Sequence, residues 1–174
     1  MASVTPLRAR ISAVLIRETA AADRPAVLEI VGASFGGTYE VELVQQIWSL
    51  PEYLPHLDLI AVEDDEVVGH VLCSRGWVGE KQVVALAPLC ARPDRQRAGV
   101  GSALMEEVIR RADDAGAPLI GLLGHPSYYP RFGFERATSI GIDTPWPLDD
   151  DAAFMVRRLR GYDESYKGKF AYAF

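Results

Sequence analysis

The stretch from Lys81 to Gly116 constrains this chain more than any other. Val83-Val84-Ala85-Leu86-Ala87 is apolar at successive positions, which marks a strand covered on both faces, at the centre of a sheet rather than its edge. Pro93 ends it. The loop Asp94-Arg95-Gln96-Arg97-Ala98 leads into Gly99-Val100-Gly101-Ser102. A helix follows over Gly99–Ala115, with Val100, Leu104, Val108, Ala112 and Ala115 on one stripe. Glu106 and Arg110, like Glu107 and Arg111, stand four apart in the favourable order. Gly116 stops the helix. A buried strand that feeds a helix through a glycine loop requires a sheet with helices packed on it, a mixed α/β or α+β fold.

The remaining elements agree. Ala13–Glu18 reads as a first strand. Asp23 is suited to cap a helix over Arg24–Ser34, with Pro25 in its first turn. The Phe35–Thr38 segment breaks that helix, a second spans Tyr39–Leu50, and Pro51 ends it. Leu57–Glu63 and Val67–Val78 read as strands joined by the acidic turn Asp64-Asp65-Glu66. Gly69 inside the second implies a bulge or the close approach of another backbone. Lys81–Ala91 is the fourth strand and Leu119–Leu123 the fifth. Tyr128–Phe132 reads as a helical turn, and Phe134–Ile140 and Phe154–Leu159 as the last strands. No linker or repeat interrupts residues 1–174, so a single domain is expected, with residues 1–12 a frayed tail. Residues 161–174 form an aromatic C-terminal extension, placed to cover the last strands or a partner copy.

Composition narrows the function. The chain has 174 residues, 49% of them hydrophobic and 24% charged, the balance of a soluble globular domain. Its net charge is −6, and phosphate neutralisation needs a basic patch, so nucleic acid is not an expected partner. Arg157, Arg158 and Arg160 read as a solvated strand end. The longest apolar run, Val83–Cys90, is too short to span a bilayer. No signal peptide is apparent, and Cys73 and Cys90 read as buried free thiols, so a cytoplasmic location is expected. No Cys/His spacing points to a metal.

The strand–loop–helix junction carries the chemistry. The first N–H groups of a helix have no intrahelical acceptor and lie at the positive end of its dipole, which makes an anion site. Gly99 and Gly101 let a phosphate approach the backbone. Arg95 and Arg97 add charge, and Ser102 a hydroxyl. The sequence is neither a Walker A loop nor a dinucleotide fingerprint.

Gln96-Arg97-Ala98-Gly99-Val100-Gly101 resembles the Gln/Arg-x-x-Gly-x-Gly/Ala signature of the GNAT superfamily of N-acetyltransferases. Tyr129-Pro130-Arg131-Phe132-Gly133-Phe134 is similar to that family's Tyr-x-x-x-Gly-Phe element. The resemblance implies a central, mostly antiparallel, twisted sheet of six to seven strands, split in a V between strands four and five and flanked by about four helices. It implies acetyl-CoA as co-substrate, with the pantetheine arm along Leu89, Cys90 and Ala91. The pyrophosphate would lie on Gln96, Arg97, Ala98, Gly99, Val100, Gly101 and Ser102.

By the same resemblance Tyr129 is the catalytic acid, selected over Tyr128 by its spacing to Gly133 and Phe134. The N–H of Cys90 is the expected oxyanion donor. Some relatives place a Glu on strand four, where this chain has Leu86, Ala87 and Leu89, so no general base is evident. Glu40 and His125 are candidates to line the acceptor site. His56 and His70 are weaker ones, and Ser127 could replace a cofactor contact made in relatives by an Asn. The implied activity is acetyl transfer to a primary amine of a small molecule or protein, with a homodimer suggested by many relatives. Two other readings stay open: a non-catalytic acyl-CoA-binding domain, or an acyltransferase using a longer acyl-CoA or a hydroxyl acceptor.

Overall fold

The structure is a computed structural model that describes residues 14–174. The N-terminal tail and the first residue of the expected opening strand, Ala13, lie outside the described residues. The elements run β1 (Leu15–Glu18), α1 (Arg24–Phe35), α2 (Tyr39–Ser49), β2 (Tyr53–Glu63), β3 (Glu66–Val78), β4 (Lys81–Ala91), α3 (Val100–Asp114), β5 (Leu119–Leu123), β6 (Glu135–Arg136), β7 (Ile142–Asp143), β8 (Phe154–Arg158) and β9 (Gly168–Tyr172). The sheet order is β1-β2-β3-β4-β5-β8-β6, with β9 paired to β3 and β7. Neighbours are antiparallel except β4–β5 and β7–β9.

The main path of the sheet runs through seven strands, within the six to seven expected, with β7 and β9 added beside it, and three α-helices stand with a single 3₁₀ turn at Tyr129–Phe132 where a helical turn was expected. Several expectations are corrected. The expected strand Phe134–Ile140 pairs only at Glu135–Arg136 and then coils into a 3₁₀ turn over Ala137–Ile140. The aromatic extension contains β9, whose alternating Phe170 and Tyr172 share one face. Asp23 sits at the N-cap of α1 without bonding the helix. Its carboxylate accepts from Ala20 N and from Arg17. Arg110 pairs with Glu107 and Asp114 instead of Glu106.

The sheet buries both faces, as the apolar run of β4 requires. On one face α3 presents Leu104, Met105 and Val108 to Leu59, Val71 and Leu86. On the other, α1 and α2 press Val27, Val31, Val44 and Ile47 onto Ile60, Leu72 and Cys90. Successive residues such as Leu59 and Ile60 point to opposite faces, as the pleat dictates. Gly69 admits α3. A Cβ there would stand 2.6 Å from Val100 Cγ1 and 2.9 Å from Leu104 Cδ1. The bulge expected at this glycine is present, since β2 advances one residue from Ala61 to Val62 while β3 spans two, Gly69 to Val67, and the Cys90 carbonyl also lies 3.2 Å from the Cβ position.

The Asp64-Asp65 turn between β2 and β3 has both residues at positive φ, 49° and 64°, the geometry of a tight two-residue hairpin. A second core lies at the far end, where Phe154 and Phe170 meet with ring centroids 4.9 Å apart. Arg157, expected in solvent, instead donates to the Phe132 carbonyl beneath the Gly133 turn, while Arg158 pairs with Glu135 and Arg160 with Asp113. Cys73 and Cys90 are buried and unbridged.

A polar cluster lies deep between the end of α2 and strands β2 and β3. The Asp58 carboxylate is fully buried. It accepts from Thr19 Oγ1 at 2.6 Å, Tyr53 Oη at 2.7 Å and Trp48 Nε1 at 2.8 Å, and it bonds His70 Nε2 at 2.8 Å. Burial pushes its pKa up, but the bonds from His70, Thr19 and Tyr53 outweigh that and hold it below the usual carboxylate range. This network ties the end of α2 to β2, β3 and the residue after β1, and so fixes the helix whose first turn lines the site below. It also accounts for His70, which is a structural residue here.

Candidate active site

The sheet opens where β4 and β5 part. They pair at Val84–Ile120, Ala85–Gly121 and Leu86–Leu122 and no further. Just beyond, β3 advances two residues, from Val71 to Cys73, while β4 spans three, Leu89 to Leu86. The extra residue is a bulge at Ala87-Pro88, and bulges bend the strand that carries them. The chain after β5 turns away, with Gly124 N bonded to Ala153 O at 2.9 Å. The result is a V-shaped gap with β4 as one wall.

Strand alternation decides which β4 groups face the gap. Arg92 N donates to Val68 O at 2.8 Å, and Cys90 lies opposite His70 in the same ladder. The N–H groups of Cys90 and Arg92 therefore point toward β3, and those of Leu89 and Ala91 point into the gap. The Cys90 N–H, expected to serve as the oxyanion donor, is turned the wrong way, and Leu89 and Ala91 supply the free donors instead. The Ala91 carbonyl accepts from Ser34 Oγ at 2.9 Å, which pins α1 to this wall.

A cavity of about 570 Å³ follows the gap to the start of α3. Leu89, Cys90, Ala91, Gln96, Arg97, Gly99, Gly101 and Ser102 line it, as do Tyr128, Tyr129 and Arg131. Of the ten residues expected to hold the cofactor, Ala98 is exposed outside the lining and the Val100 side chain is buried beneath α3. Gly99 takes φ 86° as the N-cap of α3, and the first backbone bond of the helix runs from Ala103 N to Gly99 O. The N–H groups of Val100, Gly101 and Ser102 therefore lack intrahelical acceptors. The first turn of α3 carries no acidic side chain, so the positive end of its dipole is left for an outside anion. Arg95, by contrast, turns away to pair with Glu63.

Tyr128 and Arg131 join the lining although no motif singled them out. Arg131 Nε donates to Tyr128 O at 2.9 Å and its guanidinium lies 4.6 Å from the centre of the Tyr128 ring. The Tyr128 hydroxyl would stand 3.1 Å from a Cβ on Gly101. The adjacent aromatic pair Tyr128-Tyr129, edge to face at 5.0 Å, was the available signal.

A second cavity, about 440 Å³, meets the first at Leu89 and Tyr129. Glu40 and His125 both line it. It also draws on residues that sequence spacing could not join: Phe35, Tyr39, Trp146, Tyr172 and Phe174. Tyr129 stands between the two cavities. Its ring fills the space above Gly124, where any Cβ would overlap it, and packs edge-on against Phe134 at 5.9 Å. Burial, with the neighbouring Tyr128, pushes the Tyr129 phenol up to about 12. It is therefore fully protonated at neutral pH and available as an acid. Burial also raises the Cys90 thiol to about 11, which keeps it a poor nucleophile. His56 lies in neither cavity, and Ser127 is exposed outside both linings.

Among the described residues no group of three or more His, Cys, Asp or Glu is placed to hold a metal, and no helix is long and apolar enough to cross a membrane.

Comparison with known proteins agrees with this geometry. The Acetyltransferase (GNAT) family matches residues 24–134. The N-acetyltransferase YjhQ of Escherichia coli, itself uncharacterised, is 32% identical over 144 residues, covering 79% of this chain and 80% of the relative. YhbS of the same organism is 32% identical over 148 residues, covering 83% and 87%. A crystal structure of YhbS in complex with CoA superposes with TM-score 0.85 at 27% identity, over 98% of this chain and 93% of that one. A Brucella melitensis GNAT acetyltransferase in complex with acetyl-CoA gives 0.75 at 27% identity, over 92% and 96%. The chain belongs to the GNAT family of acetyltransferases and is an acyltransferase.

Proposed function

We propose that the protein transfers an acetyl group directly from acetyl-CoA to a primary amine, with the two substrates approaching through the two cavities that meet at Tyr129. That junction is the observation that carries the reading. Acetyl-CoA supplies a thioester, whose acetyl carbonyl the amine can attack. The CoA-bound and acetyl-CoA-bound neighbours support the cofactor, and the acid-free start of α3 matches a pyrophosphate.

Each residue then has a task. The N–H groups of Val100, Gly101 and Ser102 hold phosphate oxygens, and Arg97 and Arg131 add charge around them. Leu89 and Ala91 N–H groups bind the extended arm and polarise the acetyl carbonyl as it gains negative charge. The amine arrives from the second cavity and must lose a proton to attack. Glu40 and His125 line that cavity and can pass the proton to solvent. As the C–N bond forms and the C–S bond breaks, Tyr129 gives its proton to the sulfur, and the second proton shed by the amine nitrogen restores the phenol. The balance is one ammonium and one thioester converted to an amide, a thiol and a released proton.

The test is calorimetric titration with acetyl-CoA, comparing wild type with Ser102→Glu. A Glu in the first turn suits a helix N-terminus, so the variant keeps its fold while placing a carboxylate on the proposed phosphate site. Micromolar binding that weakens at least tenfold in the variant supports the reading. Absence of binding to wild type overturns it.

A further inference from the structure

The cavity on the acceptor side has an unusual lining for a site that must bind an ammonium. Tyr39 at the start of α2, Trp146 in the loop before β8, and Tyr172 and Phe174 at the end of the chain face it together with Glu40 and Tyr129. Trp146 stacks on Tyr172 with centroids 5.7 Å apart and planes 29° from parallel, and Tyr172 meets Phe174 at 4.9 Å. Tyr39 is 68% exposed and Trp146 43% exposed. Large aromatic surfaces left open around one cavity mark a place where an apolar ligand is bound. The wall formed by Leu43, Leu86 and Leu89 is apolar as well.

Charge adds a second constraint. Glu40 is the carboxylate among the residues lining this cavity. A narrower cavity of about 230 Å³ continues along α2 through Tyr39, Leu43, Trp146 and Phe174, with Glu42 and Gln46 on its wall. A polyamine or an aminoglycoside needs several anionic and polar partners for its many charges, because a buried charge without a partner is costly. The two adjoining walls supply two side-chain carboxylates, Glu40 and Glu42, beside a larger ring of aromatic faces. Such faces take up flat apolar bodies by stacking, and they also attract a cation placed over them. About 440 Å³ corresponds to roughly 15 water volumes at about 30 Å³ each, enough for one ring system and a short amine-bearing arm.

We propose that the acceptor is a small primary amine carried on an aromatic body, with its ring against the Trp146–Tyr172–Phe174 face and its ammonium held by Glu40. The proposal rests on the acetyltransferase reading above and names the substrate class for the same site. Strand β9 is what builds this specificity, since it carries Tyr172 and leads Phe174 to the cavity.

Initial rates of thiol release at fixed acetyl-CoA test it, with 2-phenylethylamine and tryptamine compared with putrescine, spermidine and a short peptide bearing a free N-terminus. The expected result is a kcat/KM at least tenfold higher for the aromatic amines. Trp146→Ala should raise KM for tryptamine about tenfold with a smaller change in kcat, and Glu40→Gln should raise KM for every amine. Faster turnover of a polyamine or the peptide overturns the substrate class while leaving acetyl transfer intact. Acetyl-CoA binding without turnover of the aromatic amines overturns it too. Loss of acetyl-CoA binding altogether strikes the underlying acetyltransferase reading instead, so the two failures are distinguishable.

Discussion

The ring of Phe170 occupies the space that a Cβ on Gly121 would need. The same ring lies 3.2 Å from where a Cβ on Gly76 would be, so one aromatic side chain is seated over small residues of β3 and β5. Gly121→Ala should therefore force the ring off its seat. A loss of about 2 kcal/mol in unfolding free energy, within the range for overpacked cores, is expected in denaturant titration. The displacement would also carry β9 outward, so KM for the amine should rise in the same variant.

Tyr129→Phe keeps the ring above Gly124 and removes only the proton. Turnover should fall about a hundredfold or more, the range of positioned acid catalysis, with little change in calorimetric affinity for acetyl-CoA. Because the Tyr129 phenol is pushed up to about 12, wild-type kcat should show no alkaline loss from this group below about pH 10.

Asp58→Ala should be far more damaging than its distance from the cavities suggests. It leaves the Trp48 N–H, the Tyr53 and Thr19 hydroxyls and His70 without their shared acceptor in a dry core. About 3–5 kcal/mol of stability should be lost, read from the midpoint of urea unfolding. Asp58→Asn, which keeps acceptor capacity, should cost less.

Acid sensitivity has an identifiable source on the outer face of α3. Hydrogen bonding to Arg110, then to Arg111, lowers the Glu107 carboxyl to about 2 despite partial burial. A carboxyl depressed on folding stabilises the protein above its unfolded value of about 4.3 and loses that contribution as pH falls toward 2. Glu107→Gln should cost about 1 kcal/mol at pH 7. It should also flatten the fall of the melting temperature between about pH 4 and pH 2.

Much of this was legible in the chain. The β4–loop–α3 unit could be read because its signals are local: a continuous apolar run, a proline, two glycines and a stripe of period 3.6. Tyr129 was singled out by the resemblance of Tyr129–Phe134 to the family's Tyr-x-x-x-Gly-Phe element. Where partners are distant, reading failed. Phe134–Ile140 has the composition of a strand, yet β8 offers it pairing only at Val156 and Met155. The alternation of Phe170, Tyr172 and Phe174 is a strand pattern, but β9 becomes a strand by pairing with β3 and β7. The acceptor cavity joins residues from positions 35 to 174, which no spacing rule can connect. The direction of the Cys90 N–H depended on a register set across two strands.

The parting of β4 and β5 leaves a ladder half-built in the interior of the sheet, with Leu89 and Ala91 as rungs awaiting a partner. Any extended molecule that pairs with them completes secondary structure as well as filling a site. Its binding energy then counts toward the cohesion of the protein itself, and a ligand at a hundred times its dissociation constant adds about 2.7 kcal/mol to the folded state. The unfolding temperature should therefore climb with the concentration of any ligand that pairs along Leu89 and Ala91.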